Sequence, residues 1–148
     1  MRHTTMTHIL ILNGPNLNLL GTRQPETYGT ITLSDIEAMC ASEAGLLGVT
    51  YEFEQSNHEG ALIDHIHSTQ AQGIILNAGA YTHTSIAIMD ALSSVNKPVL
   101  ELHLSNIHQR EDFRQHSYIS KVAFAMVCGL GASGYPLAMR AMSEHLAP

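Results

Sequence analysis

Positive charge is scarce in this chain: seven Lys and Arg stand against thirteen Asp and Glu in 148 residues, for a formal net charge of −6. A surface built to hold nucleic acid or an anionic membrane needs basic residues in excess, so neither is expected as a partner. Cysteine is rarer still, with two in the chain. Cys40 and Cys128 form no CxxC pair and match no metal-ligand spacing, which makes a reduced, cytoplasmic setting the simpler reading and casts both as small core residues. Long apolar runs are missing too. The opening MRHTTMTH leads into only four aliphatic residues before Asn13, too short for an export signal. The weakly polar stretch 122–132 is broken by Gly129, Gly131 and Ala132 and falls well below the roughly 20 residues of a membrane helix. Neither GxGxxG after the first apolar run nor GxxxxGK[ST] occurs, which removes the dinucleotide and P-loop signatures.

What the chain does have is a core. At 45% hydrophobic residues it can cover both faces of a sheet, and a single domain over 1–148 is expected, with residues 1–7 as a flexible extension. Apolar runs recur as ILIL at 9–12, GIIL at 73–76, VLEL at 99–102 and VAFAMV at 122–127, and all four read as buried parallel strands. VTYEFE at 49–54 alternates instead, so one of its faces meets water and it belongs at an edge. Helical patterns lie between: about 32–46, 60–72, 84–94 and from about 134 onward. Thr32 with Asp35, or Ser34 with Glu37, offers an N-cap for the first helix, and Thr84 or Ser85 one for the third. The βα alternation with right-handed crossovers gives an α/β fold, a flavodoxin-like doubly wound five-stranded parallel sheet of order 2-1-3-4-5 with helices on both faces.

In such sheets ligands bind beyond the carboxyl ends of the strands where the order reverses, here between strands 1 and 3. After strand 1 come Asn13, Asn16 and Asn18, then Arg23 and Tyr28; after strand 3 come Asn77 and His83; after strand 4 come His103, Ser105, Arg110 and Arg114. Taken singly, Asn77 also reads as a turn cap, His83 as a residue near a helix start and Tyr28 as a loop anchor. The arginines point to a small anionic ligand as readily as to surface charge. Glu101 and His103 are two apart on a strand, so they share a face, and a carboxylate beside an imidazole orients it and favours its protonated form. That makes a proton donor, or an inward polar pair that satisfies itself. No metal is expected, since His65 and His67 are two apart on one helix and point to different faces. A Schiff-base enzyme would need a desolvated lysine, and Lys97 and Lys121 precede strands 4 and 5, opposite the crevice. A nucleotide or flavin module is favoured by fold alone.

With the motifs laid out in order, NGPNLNLLGTR and PETYG, QSNHEG at 55–60, NAGAYTHTS with Asp90, ELHLSNIHQREDFR and CGLGASGY, the chain resembles the type II dehydroquinases nearly from end to end. The resemblance implies dehydration of 3-dehydroquinate to 3-dehydroshikimate by anti elimination through an enolate, without metal or organic cofactor. It implies Tyr28 as the base at C2, Arg23 as the cation beside it, and His103 as the acid that protonates the departing C1 hydroxyl. Asn16 stands at the enolate, directly or through a water. A free tyrosine is a poor base at neutral pH, and a neighbouring cation that lowered it by roughly 2 pH units would supply about 2.7 kcal/mol. Backbone N–H groups around Leu104 and Ser105 are implied for the substrate carboxylate, and Asn77, His83 and Arg114 for the ring hydroxyls. Asp90 is implied to reach a neighbouring subunit's site in a dodecamer of trimers, and the loop from about 15 to 29 to form a lid. Gln24, Ala61 and Met89 depart from the residues common in that family and touch none of these roles.

Overall fold

A computed structural model describes residues 6–22, 26 and 29–148, so Arg23 and Tyr28 lie outside the described residues. The strands are β1 (His8–Asn13), β2 (Thr50–Gln55), β3 (Gly73–Asn77), β4 (Val99–His103) and β5 (Ala125–Cys128). They form one parallel, 5-stranded sheet of order β2-β1-β3-β4-β5. The alternating segment is at one edge, as its pattern demands. The continuous apolar runs of β1, β3 and β4 take the interior, where both faces are covered.

Alternation along the strands feeds two cores. Ile9 and Ile11 of β1, Ile75 of β3 and Leu100 and Leu102 of β4 face α1 (Leu33–Leu47) and α4 (Gly134–Leu146), packing with Ile36, Cys40 and Met139. Leu10, Leu12, Ile74, Leu76 and Val99 face α2 (Glu59–Ser68) and α3 (Ile86–Val95), packing with Leu62, Ile66, Ile88 and Leu92. Each such side chain, fully withdrawn from water, contributes about 1.5–3 kcal/mol. By the same alternation Glu101 and His103 share the face of Val99. This puts a carboxylate and an imidazole on a buried face that is otherwise aliphatic.

Thr32 and Asp35 form the capping box of α1: the Asp35 N–H donates to Thr32 Oγ1 at 3.1 Å and the Thr32 N–H to Asp35 Oδ2 at 2.9 Å. The Thr32 N–H and, to a lesser degree, the Thr32 hydroxyl hold the Asp35 carboxyl below its ordinary range. Ser85, rather than Thr84, caps α3 by accepting from the Ile88 N–H at 2.9 Å.

Four expectations need correction. The helix expected over 60–72 stops at Ser68, because Thr69 turns inward: its hydroxyl donates to Glu52 Oε2 at 2.6 Å, accepts from the Ala71 N–H at 3.1 Å, and so competes with the helix ladder. The last strand begins at Ala125 rather than at 122, since Val122 closes a tight turn by bonding to the Ile119 carbonyl at 3.0 Å. It is also the far edge of the sheet, with Met126 39% exposed, so an apolar run there did not mean burial. Cys128, at its end, is accordingly half-buried, whereas Cys40 is a core residue.

Candidate active site

The loops after β1 and β3 touch through a glycine. The Gly14 N–H donates to the Asn77 carbonyl at 2.7 Å, and a Cβ on Gly14 would sit 2.4 Å from the Ala78 carbonyl oxygen. Only glycine permits that approach. Two residues on, Asn16 has a φ of +71°, a left-handed conformation of the kind that costs about 1–3 kcal/mol and persists where its surroundings enforce it. The enforcement comes from the β2–α2 loop: Asn57 Oδ1 accepts the Asn16 N–H at 3.0 Å. Asn57 is itself held by Gln55 Nε2 at 3.0 Å, which also donates to the Gly14 carbonyl at 3.1 Å. The QSNHEG segment thus braces the first loop.

Beyond the strand ends lies a cleft of about 350 Å³, within the size range of small-molecule sites. Asn16, Asn77, His83 and His103 line it, as do Leu104, Ser105 and Arg114. Loops distant in sequence are brought to one place. Asp90 is not: it is exposed on α3 and lines no part of this cleft. Arg110 and the apolar wall of Leu17, Leu20 and Ile107 also line it. Arg110 stands in the segment already singled out after strand 4; the leucines carry no chemical signal and are found only from the shape.

His103 is 5% exposed, and its Nε2–H donates to Glu101 Oε2 at 2.6 Å. Glu101 is fully buried behind it. Burial alone pushes the Glu101 carboxyl up, yet hydrogen bonds from His103, Ser120 and Ser117 together hold it below its ordinary value. An ionised Glu101 fixes the proton on Nε2 and leaves Nδ1 as the nitrogen unbonded among the described residues. The ring of His83 lies nearly parallel, its centroid 6.4 Å away. Its Nδ1 must donate to the His116 carbonyl at 2.7 Å, so its Nε2 is an acceptor when the ring is neutral.

Asn77 is held from below. Its Nδ2 donates to the Tyr135 hydroxyl at 3.0 Å, and its Oδ1 accepts the Gly79 N–H at 3.3 Å. One N–H and one lone pair remain for a ligand. Arg114 Nε donates to Glu111 Oε2 at 2.7 Å, and Arg110 Nε stands 3.8 Å from the same oxygen. The exposed Glu111 carboxyl is held below its ordinary range by its own backbone N–H and by Arg114. Among the described residues no group of three or more His, Cys, Asp and Glu is placed to hold a metal ion, and no helix is long and apolar enough to cross a membrane.

Fold and cleft define a flavodoxin-like α/β protein in which a buried carboxylate–imidazole pair presents its imidazole to a crevice of mixed polar and apolar lining at the carboxyl ends of the strands. The chain belongs to the family described as dehydroquinase class II, which matches its residues 7–143. It is 60% identical over 141 residues to the 3-dehydroquinate dehydratase of Dinoroseobacter shibae, covering 94% of each chain. With that of Ruegeria pomeroyi it shares 58% over 145 residues, covering 97% of each. Among solved structures it is similar to the type II dehydroquinase of Butyrivibrio crossotus, with a TM-score of 0.89 and 39% identity over 95% of this chain and 99% of that one.

Proposed function

We propose that this chain is a hydro-lyase that dehydrates 3-dehydroquinate to 3-dehydroshikimate by anti elimination, in the shikimate route to aromatic amino acids. The observation that carries the reading is the Glu101–His103 pair, 2.6 Å apart, whose His103 faces a cleft of the size a compact polyol acid requires, in a chain of the dehydroquinase class II family.

The reaction divides into two proton transfers. Tyr28, as phenolate beside Arg23, removes the C2 proton, and the electron pair moves onto the C3 carbonyl to form an enolate. Asn16 donates to that oxygen, directly or through a water, where negative charge develops. His103 as imidazolium then gives its Nδ1 proton to the C1 hydroxyl. The C1–O bond breaks, water leaves, and the enolate collapses to the C1=C2 double bond. Glu101 stabilises the imidazolium from behind. The Leu104 and Ser105 backbone receives the carboxylate, while Asn77, His83 and Arg114 hold the ring hydroxyls. Arg23 and Tyr28 enter by motif alone.

The same reading takes residues 1–148 as one cytoplasmic catalytic domain, free of metal and organic cofactor, in a dodecamer of trimers. Asp90, exposed on α3, serves the neighbouring subunit's site. The test is 3-dehydroquinate added to chelator-treated protein while enone absorbance is followed. No rise in absorbance sinks the reading. Quinate breakdown uses the identical reaction; induction of the protein by quinate, rather than constant expression, would assign it there.

A further inference from the structure

We propose that the hydroxyls of Ser117 and Ser120 are positioning groups for the elimination, acting through Glu101: by donating to its two carboxylate oxygens they keep the proton of the Glu101–His103 pair on the imidazole. This rests on the reading of His103 as the acid.

Each carboxylate oxygen of Glu101 is held by a serine hydroxyl. Ser117 Oγ accepts the Ser120 N–H at 3.1 Å, so its own hydrogen is directed to Glu101 Oε2, 2.8 Å away. The Ser120 hydroxyl donates to the other oxygen, Oε1. His103 Nε2 completes the set at 2.6 Å. A fully buried carboxylate thus has three donors from the protein.

Without the two hydroxyls a carboxyl in this apolar setting is driven to its neutral form by taking the proton from Nε2. The proton count of the pair is unchanged, but the imidazole is then neutral, and the N–H of neutral imidazole is a far weaker acid than that of imidazolium. The serines bias this internal equilibrium toward carboxylate and imidazolium, the pair that delivers a proton to the leaving hydroxyl. The other titratable groups nearby are His83, stacked on His103, Lys121, next in the chain to Ser120, the cleft arginines Arg110 and Arg114, and the edge-packed His116 and Tyr118. None of them hydrogen-bonds Glu101 among the described residues.

Neither serine lines the substrate cleft, so their loss separates proton delivery from binding. A second cavity of about 160 Å³ lies against Glu101, Ser120, Phe124 and Met126, so space adjoins Ser120 for a larger hydroxyl residue. The experiment compares Ser117→Ala, Ser120→Ala, the double variant and Ser120→Thr. General acid assistance as a whole supplies about 10²–10⁴-fold, so the double variant is expected to lose roughly tenfold or more in kcat with KM for 3-dehydroquinate nearly unchanged. Ser120→Thr should recover most of the loss seen in Ser120→Ala. Infrared difference spectra should show a protonated-carboxyl stretch in the double variant that disappears when Glu101→Gln is added. Should the double variant fail to fold, the single variants carry the same readouts. Wild-type kcat in the serine variants, alongside a His103→Ala enzyme that has lost turnover, overturns the proposal and spares the acid. Undiminished turnover in His103→Ala overturns the acid reading itself.

Discussion

The hydroxyl of Tyr135, on α4, accepts the side-chain N–H of Asn77 at 3.0 Å; its own proton goes to Asn13 Oδ1, 2.6 Å away. Both bonds are buried, and they tie the ends of β1 and β3 together under the cleft. Asn13 completes the network by donating to the Glu54 carbonyl at 3.0 Å. Burial pushes the Tyr135 hydroxyl above the ordinary phenol range, so it acts as a fixed strut and not as a base.

Tyr135→Phe should therefore destabilise the protein by about 1–3 kcal/mol, because it strands a buried acceptor on Asn13 and a buried donor on Asn77. Asn77 lines the cleft, so KM should rise as well. Denaturant melts and steady-state kinetics check both; an unchanged melting midpoint would show that water replaces the hydroxyl.

Gly14→Ala forces a Cβ to within 2.4 Å of the Ala78 carbonyl oxygen, a backbone atom that cannot swing away. The loops after β1 and β3 must separate. Forcing an extra methyl into packed space costs about 1–3 kcal/mol, and turnover should fall more steeply than stability because Asn16 moves with the loop. A variant with full activity would mean that the loop contact is dispensable.

Glu101 has a lowered folded-state pKa, so the unfolded chain binds its proton more readily and stability rises with pH. The contribution is fully present above the unfolded value near 4.5 and is lost as pH falls below it through the folded value. Glu101→Gln should flatten that acid-side slope in melts recorded across pH. A slope identical to that of the unaltered protein would assign acid sensitivity to other carboxyls.

Tyr28→Phe removes one hydroxyl and should abolish turnover while leaving substrate binding largely intact. His103→Ala should reduce kcat by about 10²–10⁴-fold with the fold preserved. Single-turnover kinetics with circular dichroism decide both. Near-normal rates in Tyr28→Phe would end its assignment as the base.

Light scattering on the purified protein should give the mass of a dodecamer. Asp90→Ala should lower activity although Asp90 lies outside its own chain's cleft. A fully active monomer would falsify the shared site.

Most of the architecture is legible in the sequence, because β1, β3 and β4 are continuous aliphatic runs and β2 alternates, which sorts interior strands from an edge. The same logic failed at 122–127. An apolar run looks alike in an interior strand and in the last strand of a sheet, and only the absence of a sixth neighbour exposed Met126. The helix expected over 60–72 is there, but its end at Ser68 escapes the sequence for a related reason: Thr69 finds its partner in Glu52, on a strand that sequence spacing cannot locate.

The candidate site divides in the same way. Glu101 and His103 are two apart on one strand, and that interval alone puts both side chains on one face, so their pairing was decided within a few residues of chain. Gly14 against Ala78, Asn57 under Asn16, Tyr135 beneath Asn77 and the two serines behind Glu101 join segments far apart in sequence. Periodicity and spacing act over a few residues, whereas these contacts exist only after βα crossovers bring the strand ends together. The sequence by itself therefore determined the strand order and the dyad, while folding alone decided what holds the dyad and its cleft in place.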